Sequence, residues 1–218
     1  MTAPPPILYS FRRCPYAMRA RLAIAASGTT VQLREVILRD KPDAMIEASL
    51  KATVPVLVLP DNALIDESWD VMVWALSQAD PEGWWPKDAA LRSEIEALVT
   101  INDGPFKAAL DRYKYPNRYE SETISKNEQR AIAIEHLHPL DARLQHQKWL
   151  LGDRATLADF AILPFVRQFA HVDRDWFDAQ PWPHLRDWLD RFLASGRFAA
   201  IMRKYPQWRP GDAETPFP

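Results

Sequence analysis

Strand-type and helix-type patterning alternate through the first eighty residues, and beyond Asp80 the strand signals stop. Ile7-Leu8-Tyr9 is a short apolar run behind a Pro-rich tip. From Cys14 to Ser27 the spacing turns helical, with Met18, Leu22, Ala25 and Ala26 on one stripe and Gly28 as a stop signal. Val31 to Leu38 begins with β-type alternation, Lys41 to Leu50 reads as a short helix, and Val54 to Leu59 is a continuous apolar run. Pro60-Asp61-Asn62 is a turn into Ala63-Leu64-Ile65, and a further helix runs from Glu67 to Gln78. The order β-α-β-α-β-β-α predicts a mixed sheet with helices packed on it.

Asp80 to Pro86 reads as a linker, after which residues 88–112, 125–148, 156–170, 183–194 and 197–204 all carry helical spacing. This change of class predicts an α/β domain over residues 1–80 followed by an all-helical domain over 88–218. Seven of the nine Trp lie at or beyond Trp84, which supplies large rings either for a helical core or for an apolar pocket. Pro206 to Pro218 reads as an ordered lid or a loose tail.

Net charge is −2, so no global field draws the chain to nucleic acid or to an anionic membrane. No apolar run approaches the roughly 18 residues that a membrane span requires. The Met1–Pro6 stretch has neither the basic nor the apolar region of a signal peptide. One cysteine cannot form an internal disulfide and suits a reducing compartment. A soluble, cytoplasmic protein without nucleic-acid or membrane partners is the expectation.

Three motifs carry chemistry. In Arg12-Arg13-Cys14-Pro15-Tyr16-Ala17, Pro15 fits the first helical position, which puts Cys14 at the cap. There it meets free backbone amides and the positive end of the helix dipole, with two arginines adding field. Helix-terminal cysteines of this kind reach pKa values of roughly 3.5–7.5, and the thiolate is the nucleophile. No second Cys follows three residues on, so a dithiol mechanism is excluded and turnover must borrow a small-molecule thiol. In Thr53-Val54-Pro55 the proline precedes an apolar run. It is either an ordinary edge-strand proline or a cis bond that leaves Val54 free to pair with a peptide-like ligand. In Asp66-Glu67-Ser68 a hydroxyl and free helix N–H groups make a carboxylate site, and Glu67 offers a partner for an ammonium group. Simple N-capping by the same residues is the plainer alternative. His136 and His138, two apart on one helix, point to different faces, so no metal site is expected.

Taken together, these three motifs resemble the glutathione transferase superfamily, and Cys14-Pro15-Tyr16-Ala17 is similar to its cysteine-type members, close to the omega class. The resemblance implies a thioredoxin-like N-terminal domain that binds glutathione and an all-helical C-terminal domain that lines the co-substrate pocket. It further implies that Cys14 forms a mixed disulfide with glutathione and that Val54, beside a cis Pro55, pairs with the cysteinyl backbone. By the same resemblance, Glu67 and Ser68 hold the γ-glutamyl end and Lys41 lies near the glycyl carboxylate. Phe106 and Tyr113 would form the co-substrate wall. Thr156-Leu157-Ala158-Asp159 is similar to the family's buried helix-capping box, a folding element. Lys51-Ala52-Thr53 departs from the family by replacing a Gly-containing turn before Val-Pro. The function expected is glutathione-dependent reduction of mixed disulfides, dehydroascorbate or related acceptors, with glutathione as co-substrate, no metal, and a homodimer as the family's usual assembly. Conjugation of glutathione to electrophiles and a non-catalytic scaffold role are the alternatives.

Overall fold

The computed structural model describes residues 4–119 and 125–218. The chain divides into two compact units, one of Met1–Gly83 with Ser195–Pro218 and the other of Trp84–Ala194. The thioredoxin-like unit followed by a helical one is the expected fold, with a difference at the end of the chain. Residues 195–218, expected to close the helical domain, belong to the first unit.

In the first unit, β1 (Ile7–Ser10) runs parallel to β2 (Val31–Glu35), and α1 (Pro15–Ser27) makes the crossover that parallel strands require. Gly28 ends α1 in the left-handed conformation at φ 69°, where a side chain would be strained. After α2 (Asp43–Ala48), β3 (Val56–Val58) pairs antiparallel with β1 and with β4 (Leu64–Ile65), and α3 (Ser68–Gln78) packs against α1. Leu8, Leu22, Val31, Leu57, Val71 and Met72 are fully buried or nearly so and form the centre of this unit.

The end of the chain adds α10 (Gly196–Ile201) and β5 (Pro216–Phe217), which pairs antiparallel with the outer edge of β2 and gives the order β4-β3-β1-β2-β5. The Trp208 N–H donates to the Glu35 carbonyl at 2.8 Å, and the Trp208 ring stacks under the Arg34 guanidinium at 4.0 Å. The segment read as a lid or a tail is therefore an edge strand and a packed strap. Beneath it, the buried Arg21 donates to Ser10 Oγ at 2.8 Å, to the Ile201 carbonyl at 3.2 Å and to the Glu35 carboxylate. Burial lowers the Arg21 pKa, and the neighbouring Glu35 charge opposes that shift.

In the second unit, α4 (Ala89–Ile101), a π-helical turn (Asn102–Phe106), α5 (Lys107–Lys114), α6 (Lys126–Leu144), α7 (Leu157–Ala170), α8 (Arg174–Asp178) and α9 (Pro183–Leu193) pack together. The single helix expected over 88–112 is interrupted because Pro105 lacks an N–H and crowds the preceding turn, which the wider π turn accommodates. Helix α7 is buried on nearly every face and forms the axis of the unit. At its start the Asp159 carboxylate, fully buried, accepts from the Thr156 N–H at 2.8 Å, the Leu150 N–H at 2.9 Å and Trp188 Nε1 at 3.1 Å. Asp159→Ala leaves those three buried donors without an acceptor and is expected to cost about 3–5 kcal/mol in urea unfolding. Asp159→Asn, which keeps one acceptor oxygen, should lose clearly less. No helix among the described residues is long and apolar enough to cross a membrane.

Candidate active site

Cys14 is the N-cap of α1, with extended backbone at φ −77° and ψ 126° and Pro15 as the first helical residue. Its backbone is fixed from both sides: the Cys14 N–H donates to the Phe11 carbonyl at 3.0 Å, and the Cys14 carbonyl accepts from the Met18 N–H at 2.9 Å. The side chain is half-buried, and Sγ stands 3.8 Å from the Val54 carbonyl oxygen. The arginines beside it turn their guanidinium groups to other partners. Arg12 reaches the Met202 carbonyl at 3.4 Å and Arg13 lies over the Phe11 ring. The N-terminal end of α1 also presents the positive end of the helix dipole to the cap position.

The Val54–Pro55 peptide is cis. Val54 and Val56 are buried in a cluster with Tyr9, Ala17, Val36 and Met45, against which Cys14 packs. The loop before Val54 is tied to the start of α3: Ser49 Oγ donates to Asp66 at 2.9 Å, while Lys51 Nζ donates to Asp66 at 3.1 Å and to Glu67 at 2.6 Å. Lys51 holds the Asp66 carboxyl below the usual carboxylate range. Glu67 is the N-cap of α3 and its side chain is exposed. Ser68 is buried, and its hydroxyl accepts from Arg19 Nε at 3.0 Å, which joins α3 back to α1.

The three sequence motifs therefore form a closed ring of contacts: Cys14 to Val54, the Ser49–Val54 loop to Asp66 and Glu67, and Ser68 to the helix that Cys14 caps. Lys41 is half-buried in the loop ahead of α2, which Gln207 holds through the Asp40 carbonyl at 3.0 Å. Phe106 and Tyr113 are buried core rings of the helical unit, both packed on Phe169. Arg19, Arg21 and Lys51 escaped the sequence reading. Arginines inside a helix otherwise rich in Ala, Leu and Ile were the available signal, since a surface helix would carry its charges on one face.

Ala52, in the departing Lys51-Ala52-Thr53 turn, takes φ 49°, the left-handed conformation that glycine adopts at no steric cost. Ala52 thus carries a side chain at a backbone conformation suited to glycine. Ala52→Gly is expected to raise stability by about 0.5–1 kcal/mol, read as a shift in urea midpoint at constant m.

A family model described as the glutathione S-transferase N-terminal domain matches residues 8–83, and one for the C-terminal domain matches residues 107–191. The chain is 47% identical over 92 residues to a probable glutathione transferase of Aplysia californica, covering 42% of this chain and 90% of that one. The chain belongs to the glutathione S-transferase superfamily. Mouse glutathione S-transferase omega-1 is 22% identical over 166 residues, covering 76% of this transferase and 68% of the mouse protein. A solved glutathione S-transferase of Methylobacillus flagellatus, with glutathione bound, shares the fold at a TM-score of 0.78 and 21% identity, covering 90% of this chain and 98% of that one. The residues of the ring described above all lie within the N-terminal match or at its edge.

Proposed function

We propose that this transferase is an omega-like thiol transferase that reduces mixed disulfides, dehydroascorbate or related acceptors through Cys14 and glutathione. The observation that carries the reading is the half-buried Cys14 thiol at a helix N-terminus, 3.8 Å from the carbonyl of the residue that precedes a cis proline. A thiolate here is stabilised by the helix end, and the cis-proline loop offers Val54 backbone to the cysteinyl part of glutathione.

In the first step the Cys14 thiolate attacks the glutathionyl sulfur of a mixed disulfide. The new S–S bond forms as the old one breaks, and the other thiol leaves as thiolate and takes a proton from water. A second glutathione thiolate then attacks the glutathionyl sulfur of the Cys14 adduct, which releases oxidised glutathione and restores the Cys14 thiolate. Overall, one mixed disulfide and one glutathione become one oxidised glutathione and one free thiol. Val54, Glu67, Ser68 and Lys41 bind and orient the tripeptide in this scheme, and a homodimer is the proposed assembly.

Intact-mass spectrometry after mixing the protein with a small glutathionyl mixed disulfide tests the scheme. A single glutathionyl adduct on Cys14, discharged by added glutathione with multiple turnovers, is the expected result. A protein that forms no adduct and turns over no disulfide overturns it.

A further inference from the structure

The end of β2 carries a charge where its pattern calls for an apolar residue. Val31, Leu33 and Glu35 alternate inward along this strand, and the Glu35 side chain is buried against Arg21. A buried ion pair often brings no stability over apolar side chains of like volume, so what the carboxylate touches is the better guide to its use. Its two oxygens reach to either side of Cys14. Oε1 accepts from the Arg12 N–H at 2.8 Å, in the turn before the cysteine, and Oε2 accepts from the guanidinium of Arg21, in the helix that the cysteine caps.

The two sides differ in how firmly other contacts hold them. Helix α1 buries Ala17, Leu22, Ala23 and Ile24 completely and packs along α3, so its place does not hang on one bond. Phe11 and Arg12 are half-buried and Arg13 is exposed. The bond from the Cys14 N–H to the Phe11 carbonyl closes this turn but leaves its tilt against the sheet free. Upstream, the Val36 N–H donates to the Ser10 carbonyl at 2.9 Å and fixes the chain where it leaves β1. Beyond that point the Arg12 N–H supplies the short bond back to β2, and the Arg12 side chain adds a long contact to the Met202 carbonyl at 3.4 Å. A tilt of the turn would rotate the sulfur away from the helix end and alter its 3.8 Å approach to the Val54 carbonyl oxygen.

We infer that Glu35 is the positioning residue of the Cys14 thiol: its carboxylate, through the Arg12 N–H, sets the tilt of the turn that delivers the sulfur to the end of α1 and to Val54. This deepens the thiol-transfer reading and rests on it, with Glu35 acting through Arg12 and not on the reacting atoms. The strap takes part as well. The Glu35 carbonyl accepts from the Trp208 N–H at 2.8 Å, and Trp208 packs on the same buried cluster as Cys14. The last residues of the chain thus brace the side chain that aims its single thiol.

Two double variants isolate the acceptor. Arg21→Met/Glu35→Gln keeps an oxygen for the Arg12 N–H, Arg21→Met/Glu35→Leu removes it, and neither strands a charge. Each is checked for folding by circular dichroism, alkylated with iodoacetamide across pH, and assayed for reduction of a small glutathionyl mixed disulfide. The variant with Glu35→Gln should follow the wild type in both readouts. The variant with Glu35→Leu should lose about 10–100-fold in kcat, the scale of a misplaced reacting group. Its alkylation profile should move to higher pH while glutathione binding by calorimetry stays as in wild type. A merely structural role would appear as lower stability and leave the profile of the folded protein in place. Slow hydrogen exchange of the Arg12 amide in wild type is also expected, a result that requires no variant to fold. Equal pH profiles and equal kcat in the two double variants, or an Arg12 amide that exchanges as fast as an open one, would overturn the inference. If wild type reduces no disulfide while the two pH profiles still differ, the positioning of the sulfur stands and the thiol-transfer reading falls.

Discussion

Cys14→Ala is expected to lower glutathione-dependent disulfide reduction by at least about a thousand-fold, because a step carried by one covalent nucleophile has no substitute when that atom is removed. The sequence contains a single cysteine, so no neighbouring thiol can take over. Cys14→Ser supplies the stricter comparison. It keeps the volume and the helix-capping position, yet its hydroxyl is not ionised by a helix end and cannot exchange with disulfides. Both variants should stay folded, since Cys14 is half-buried at a cap that makes no side-chain cap bond. Glutathione binding by calorimetry should therefore persist while turnover disappears. Conjugation of glutathione to an electrophile, measured on the same samples, separates the remaining possibility. Conjugation that is robust in wild type and intact in Cys14→Ala, with no disulfide reduction in either, would move the chemistry to the thiolate of glutathione itself.

Arg21→Met should destabilise the protein by about 3–5 kcal/mol, since removing one partner of a buried ion pair strands the other charge. Met fills much of the space of the Arg stem, so the effect isolates the guanidinium. That group bonds Ser10 of β1, Glu35 of β2 and the Ile201 carbonyl at the end of α10. Without it the Glu35 carboxylate, 10% exposed, keeps the Arg12 N–H, which donates to it at 2.8 Å, but loses its buried counter-charge. Adding Glu35→Gln to Arg21→Met should return roughly 1–2 kcal/mol, because the stranded charge is gone and only a neutral amide stays buried. Urea unfolding of the four proteins in this cycle measures the coupling. Additive losses would mean that Arg21 acts by packing alone.

The parts of the fold that could be read from sequence are those written in local patterns. Strand alternation, the stop at Gly28, the Pro60-Asp61-Asn62 turn and the helical spacing of the second half each depend on neighbours within a few residues. The strand Pro216–Phe217 does not: two residues, one of them proline, carry no periodicity, and their role exists only in the pairing with Val31 and Gln32. The interruption at Asn102–Phe106 could have been read from Pro105, but a helical stripe continuing to Arg112 outweighed it. At the candidate site the motifs found their places because each sits at a helix start or a turn, where chemistry and local structure coincide. The ties among them were hidden for the opposite reason. Arg19 reaching Ser68 and Lys51 reaching Asp66 and Glu67 are contacts between residues far apart in sequence, and an arginine or lysine seen in isolation reads as solvated surface.

The first unit is written in two pieces, with Trp84–Ala194 between them. During synthesis at about 5–20 residues per second, the ribosome needs roughly 5–20 s after Gly83 before it begins the second piece. Through that interval β2 has no partner on its outer edge, and Arg21 has neither Ile201 nor the strap above it. An open strand edge is a template for other chains. An exposed edge of this kind is thus set by the order in which the residues are made, and lasts until Pro216–Phe217 is there to cover it.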